Sequence, residues 1–252
     1  MEIKAEPTPA ESPYYREDAP DLYWRLLKVL APPIRRMHRV KIIDHKKLPQ
    51  FGKGGVIVAG IHNGPLDAAL ISVGAASQGR AVRWVAEDDL FKAPVIGGVL
   101  KELGCIPIAS NRGKSTDPEQ VKQAMAAAAE VLNAGGTVGI FPAGVIHPFF
   151  EGNSTFPFKT GVIRLAIETG VPIVPAWARG ANAIFPWLSP VSIRDKKVYA
   201  ALPVWTPVEV KVRFGKPFRV KKSLSMDSPH EELKAEAARL EQAARALFDD
   251  PE

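Results

Sequence analysis

A histidine and an aspartate stand five positions apart in Gly60-Ile61-His62-Asn63-Gly64-Pro65-Leu66-Asp67. Such a pair can move a proton. A carboxylate that binds one imidazole nitrogen fixes the tautomer, and the other nitrogen is then free to take a proton from a hydroxyl group. The same carboxylate stabilises the imidazolium that results. General-base help of this kind is typically worth ~10² to 10⁴ in rate, and it requires no enzyme nucleophile. The spacing also admits a plainer account, in which Asp67 caps a helix and His62 packs at a strand end.

Other chemistries find less support. A Ser-His-Asp hydrolase needs a serine on a glycine-flanked elbow, and no Gly-x-Ser-x-Gly occurs. His38, His45, His62, His147 and His230 are scattered without ligand spacing, so no metal is expected. Cys105 is the single cysteine, lies in an apolar run, and is expected to be a buried structural thiol in a reducing cytoplasm. Gly113-Lys114-Ser115 ends like a P-loop, but the glycine required earlier is Ile108.

The pair must be held by the elements on either side. Val56 to Ala59 reads as a strand and Leu66 to Val73 as an apolar helix, with Pro65 opening it and Asp67 in its first turn. Further strands are expected at Val82 to Val85, Ile106 to Ile108, Val138 to Phe141, Ile173 to Ala176 and along Val208, Val210, Val212 and Phe214. Asp117-Pro118-Glu119-Gln120 opens a helix to about Leu132, and Ser228-Pro229-His230-Glu231 opens the last one. This alternation predicts an α/β fold, a mostly parallel central sheet flanked by helices.

A chain of 252 residues can bury a core without disulfides. Residues 1–19, acidic and proline-rich, read as a flexible tail. Residues 20–41 read as amphipathic surface helices, interrupted at Pro32-Pro33 into a hairpin, and 42–252 as the main domain. The net charge is +6, and Lys28, Arg35, Arg36, Arg39, Lys41, Lys46 and Lys47 alternate with apolar residues. That mixture suits either an anionic membrane surface or a solvated helix packed on its own domain. No run is long and apolar enough for a transmembrane helix, no secretory leader is expected, and no nucleic-acid module is recognisable.

From Val56 to Phe218 the order of motifs resembles the glycerolipid acyltransferase family, whose best-known members are the lysophosphatidate acyltransferases. The first block is His62-Asn63-Gly64-Pro65-Leu66-Asp67. A segment like Glu87 to Leu103 then leads into Leu103-Gly104-Cys105-Ile106-Pro107-Ile108. The third block is Gly139-Ile140-Phe141-Pro142-Ala143-Gly144, and the fourth is Gly170-Val171-Pro172-Ile173-Val174-Pro175-Ala176, with Phe158-Lys159-Thr160-Gly161 between them.

The resemblance implies a glycerolipid acyltransferase-like fold with an N-terminal interfacial helical hairpin, peripheral on the cytoplasmic side of the membrane. It implies a lipid acceptor, an acyl thioester donor carried by CoA or acyl carrier protein, and no cofactor. His62 and Asp67 would be catalytic, with Asn63, Arg112, Lys114, Phe141, Pro142, Ala143, Gly144 and Lys159 binding substrate. Backbone N–H groups near Gly144 or at the helix start after Pro65 would hold the oxyanion.

Two blocks depart from the family pattern. Where Asp-Arg usually ends the second block this chain has Ala109-Ser110, and Arg112 comes two residues late, either a phosphate ligand or a solvent-facing loop residue. Ala143, Val145 and Ile146 replace the glutamate, threonine and arginine of the third block. His147 beside it is either a polar contact or a loop residue. The acceptor is therefore either a lysophospholipid such as 1-acylglycerol-3-phosphate or a neutral alcohol such as diacylglycerol. A lipid-binding protein without turnover is the alternative of another class.

Overall fold

Val56-Ile57-Val58-Ala59-Gly60 offers no polar side chain to water, and all five residues are buried in the middle of a sheet covered on both faces. The computed structural model describes residues 19–109, 118–146, 156–184, 191–193, 196–198 and 208–249. In chain order the elements are α1 (Asp21–Met37), β1 (Lys41–Ile43), β2 (Val56–Gly60), α2 (Asp67–Ala76), β3 (Val82–Glu87), α3 (Asp88–Lys92), α4 (Ile96–Glu102) and β4 (Ile106–Ile108). They continue with α5 (Pro118–Asn133), β5 (Thr137–Ile140), α6 (Gly161–Thr169), β6 (Ile173–Arg179), α7 (Ala181–Ile184), β7 (Val191–Ile193), β8 (Lys196–Val198), β9 (Lys211–Phe214) and α8 (His230–Asp249).

The main sheet runs β1-β9-β6-β2-β5-β3-β4. Every pairing in it is parallel except β6 with β9, as the expected mostly parallel sheet requires. Strand β7 pairs with β8 in a separate antiparallel ribbon. Alternate residues of the central strands face opposite layers. Ile57, Ala59 and Val138 pack against α5, α6 and α8, whereas Val56, Val58 and Val174 pack against α2. Because β2, β5 and β3 are parallel neighbours, the loops leaving them open at one end of the sheet, which is where α/β sheets place ligands.

Loops are fastened to this frame by buried polar groups. Arg80 is fully buried, and its guanidinium donates to the carbonyls of Pro49, Gln50 and Gly54 and to Thr137 Oγ1. It ties the approach to β2 onto β5.

The expected hairpin is absent, since α1 passes through Pro32 and Pro33 as one helix. Two prolines remove two backbone donors. Packing outside the helix compensates, as it does for most helices in proteins. Tyr23 is only 4% exposed and its hydroxyl accepts the Val82 N–H at 2.9 Å, while Ile34 packs on the core. Lys28, Val29, Arg35, Arg36 and Met37 remain exposed on the other side. No described helix is long and apolar enough to cross a membrane.

Candidate active site

Strand β2 ends at Gly60, and the chain folds back on itself before α2 begins. Helix α2 starts at Asp67, two residues later than Pro65, and the Asp67 N–H donates to the Gly64 carbonyl at 3.2 Å. The turn brings Asp67 Oδ2 within 2.6 Å of the Asn63 N–H, 2.7 Å of the Gly64 N–H and 3.1 Å of His62 Nδ1. Since Oδ2 already accepts two backbone donors, it meets the imidazole as an acceptor and Nδ1 carries the hydrogen. Nε2 is left with the lone pair that a base needs.

Burial differs across the pair. The Asp67 side chain is fully buried, whereas the His62 side chain is 19% exposed and can meet a substrate. Burial pushes the Asp67 carboxyl above its ordinary pKa, and the hydrogen bonds from His62, Gly64 and Asn63 pull the other way without overcoming it. Asp67 Oδ1 is buried with no hydrogen-bond partner among the described residues.

The imidazole also lies on a column of rings. It stacks on Phe141 with centroids 3.9 Å apart and planes at 10°, and Phe141 stacks on Trp84 at 4.5 Å and 13°. Two strand glycines make room for this column. A Cβ on Gly60 would fall 2.5 Å from the Phe141 ring, and one on Gly139 would fall 2.5 Å from Trp84. Trp84 Nε1 donates to Ser72 Oγ at 3.0 Å. Neither Trp84 nor Ser72 stood out in the sequence. The available signal was the isolated glycine inside each of two strands, which marks a close approach by another group.

The third block forms a tight turn beside the column. Gly144, at φ +72°, donates its N–H to the Phe141 carbonyl at 2.9 Å, and the Lys159 N–H donates to the Pro142 carbonyl at 3.0 Å. The Gly144 N–H is thus taken up within the turn, as those of Asn63 and Gly64 are taken up by Asp67, and none of the three is aimed at an oxyanion. Ala143 is buried in the core, while Lys159 is exposed with Nζ beside Gly144. Arg112, Lys114 and His147 lie outside the described residues.

Cys105 is half-buried among apolar neighbours, and burial raises its thiol pKa, which disfavours a nucleophilic thiolate. Among the described residues no three of His, Cys, Asp or Glu converge to hold a metal ion.

A family model described as Acyltransferase matches residues 39–179, more than half of the chain. The chain belongs to the Acyltransferase family. The match takes in the acyltransferase's His62–Asp67 pair, the ring column and the third-block turn, and it ends where β6 ends.

Its relatives include the chloroplastic 1-acyl-sn-glycerol-3-phosphate acyltransferase BAT2 of Brassica napus, 29% identical over 44% of this chain and 30% of that protein. The chloroplastic 1-acyl-sn-glycerol-3-phosphate acyltransferase LPAT1 of Arabidopsis thaliana is 26% identical over 59% of this chain and 38% of its own length. The matched stretch thus spans well under half of either plant protein. Among solved structures, the 1-acyl-sn-glycerophosphate acyltransferase PlsC of Thermotoga maritima superposes with a TM-score of 0.52 at 18% identity. It covers 90% of this acyltransferase and 84% of that chain, and it shows the same fold.

Proposed function

We propose that this protein transfers a fatty acyl group from a thioester, acyl-CoA or acyl carrier protein, to the hydroxyl of a lysophospholipid such as 1-acylglycerol-3-phosphate. The observation that carries the reading is the His62 Nδ1 to Asp67 Oδ2 contact of 3.1 Å, with the imidazole partly exposed at the end of the parallel sheet. Nε2 takes the hydroxyl proton as the oxygen attacks the thioester carbonyl. The tetrahedral intermediate collapses with loss of the thiolate, which recovers the proton from the imidazolium. The protein forms no covalent intermediate and the reaction asks for no cofactor. The names of the relatives support this choice of acceptor.

Lys159 is the described cation beside the third-block turn and the candidate ligand for an acceptor phosphate, with Arg112 and Lys114 as further candidates. The enzyme works from the cytoplasmic face of an anionic membrane, held peripherally by α1, whose exposed side combines Lys28, Arg35 and Arg36 with Val29 and Met37. Sedimentation with anionic and with neutral vesicles tests that placement.

A second reading keeps the chemistry and changes the acceptor to a neutral alcohol such as diacylglycerol. It draws on Ala143, Ile146 and the exposed Val145, which leave no polar or charged side chain where the family pattern has glutamate, threonine and arginine. Acyl transfer from labelled acyl-CoA and acyl carrier protein to lysophosphatidate, other lysophospholipids, diacylglycerol and long-chain alcohols decides between them. Preference for a phosphate-bearing acceptor upholds the proposal, preference for a neutral one selects the second reading, and no transfer with any pair favours a lipid-binding protein.

A further inference from the structure

A hydrogen bond to one ring nitrogen fixes where that nitrogen sits but leaves the imidazole free to swing about the bond. A parallel ring against its face removes that freedom. In this structure the contacts close a circuit: from Asp67 to His62, across the sheet through Phe141 and Trp84, and back to α2 at Ser72. Ser72 Oγ in turn donates to the Ala68 carbonyl at 2.7 Å, next to Asp67, so both ends of the circuit are anchored within the same helix. Gly60 and Gly139 have no side chain where the rings lie, so the column is built into the sheet rather than resting on it.

We infer that Phe141 is a positioning residue for His62, backed by Trp84 through its bond to Ser72, and that the column holds the imidazole plane in which Nε2 meets the acceptor hydroxyl. An aromatic face also attracts a cation, so Phe141 favours the imidazolium that exists only once the proton has moved, which is where stabilisation raises turnover. The inference rests on His62 being the base. It gives Phe141 a different task from substrate binding.

The test compares Phe141→Leu, Phe141→Tyr and Trp84→Phe with wild type by steady-state kinetics, thermal melting and proton NMR of the His62 ring, its resonances assigned by their loss in His62→Ala. Phe141→Leu is expected to lower kcat by about 10- to 100-fold, the scale of a small misplacement at a reacting group, with little change in KM. Phe141→Tyr restores most of the rate. The His62 resonances lie upfield in wild type and Phe141→Tyr through the ring current, and move downfield in Phe141→Leu.

If Phe141→Leu does not fold, Trp84→Phe carries the test, because it keeps a ring and loses the Ser72 bond; kcat is then expected to fall several-fold with the His62 resonances displaced. A folded Phe141→Leu with wild-type kcat, or with a change in KM alone, overturns the inference and leaves His62 as base. A fully active His62→Ala overturns the base itself, and the inference with it.

Discussion

Asp67 Oδ2 lies 3.1 Å from His62 Nδ1 and accepts the N–H groups of Asn63 and Gly64 at the same time. One oxygen therefore shapes the turn and orients the imidazole. In Asp67→Asn the amide oxygen can take the place of Oδ2 and keep all three donors, but it brings no negative charge to stabilise the imidazolium that forms when Nε2 takes the proton. The expected loss in kcat is about 10² to 10⁴-fold in an acyl-transfer assay. A variant with wild-type kcat would show that the carboxylate is dispensable.

The same substitution should also change how stability depends on pH. Burial raises the folded-state pKa of Asp67, so between its ordinary pKa and its raised one the folded chain holds more protons than the unfolded chain. Its contribution to stability is therefore present below the ordinary value and is lost as pH rises through the folded value. Thermal melts across pH should show wild type losing stability through this window and Asp67→Asn lacking that decline. A decline of the same size in both would mean that Asp67 does not titrate with a raised pKa in the folded protein.

Gly60→Ala and Gly139→Ala each place a Cβ 2.5 Å from an aromatic ring of the column. Overpacking of this kind typically costs about 1–3 kcal/mol. Denaturant unfolding should show a loss of that size for each, and Gly60→Ala, whose new methyl meets Phe141 under His62, should also reduce kcat. Unchanged stability in both would contradict the packing described.

Arg80→Ala removes the donors that serve the Pro49, Gln50 and Gly54 carbonyls and Thr137 Oγ1. Hydrogen bonds from a charged group are worth about 1.5–3 kcal/mol each and are not additive, so a total loss of roughly 2–4 kcal/mol is expected in denaturant melts. A change below ~0.5 kcal/mol, as at an ordinary surface site, would contradict this structural role.

Lys159→Ala should lower kcat/KM for lysophosphatidate by about 10-fold or more, the loss of one charge-assisted hydrogen bond, and leave transfer to a neutral alcohol unchanged. Equal effects on both acceptors would remove Lys159 from phosphate recognition.

The α/β order and the His62–Asp67 pair were legible in the sequence because both are local. The strand at 56–60 is a continuous apolar run, and the pair closes through a turn between neighbouring elements. The ring column was not legible. Phe141 reaches His62 only because β5 lies beside β2, and Trp84 reaches Phe141 only because β3 lies beside β5, a neighbour order that residue patterns do not carry. The break expected at Pro32-Pro33 is absent for a related reason. Proline weakens a helix locally, but Tyr23 and Ile34 hold α1 on the domain through contacts distant in sequence. Asp117, read as the cap of the helix that the structure starts at Pro118, lies outside the described residues.

Proton transfer by His62 is tested most directly by the initial rate of acyl transfer from a thioester donor to the best acceptor, measured for wild type and His62→Ala at equal concentrations of folded protein. The rate is expected to fall by ~10² to 10⁴-fold with the melting transition still cooperative. Transfer by His62→Ala at the wild-type rate would contradict a role for His62 as the base.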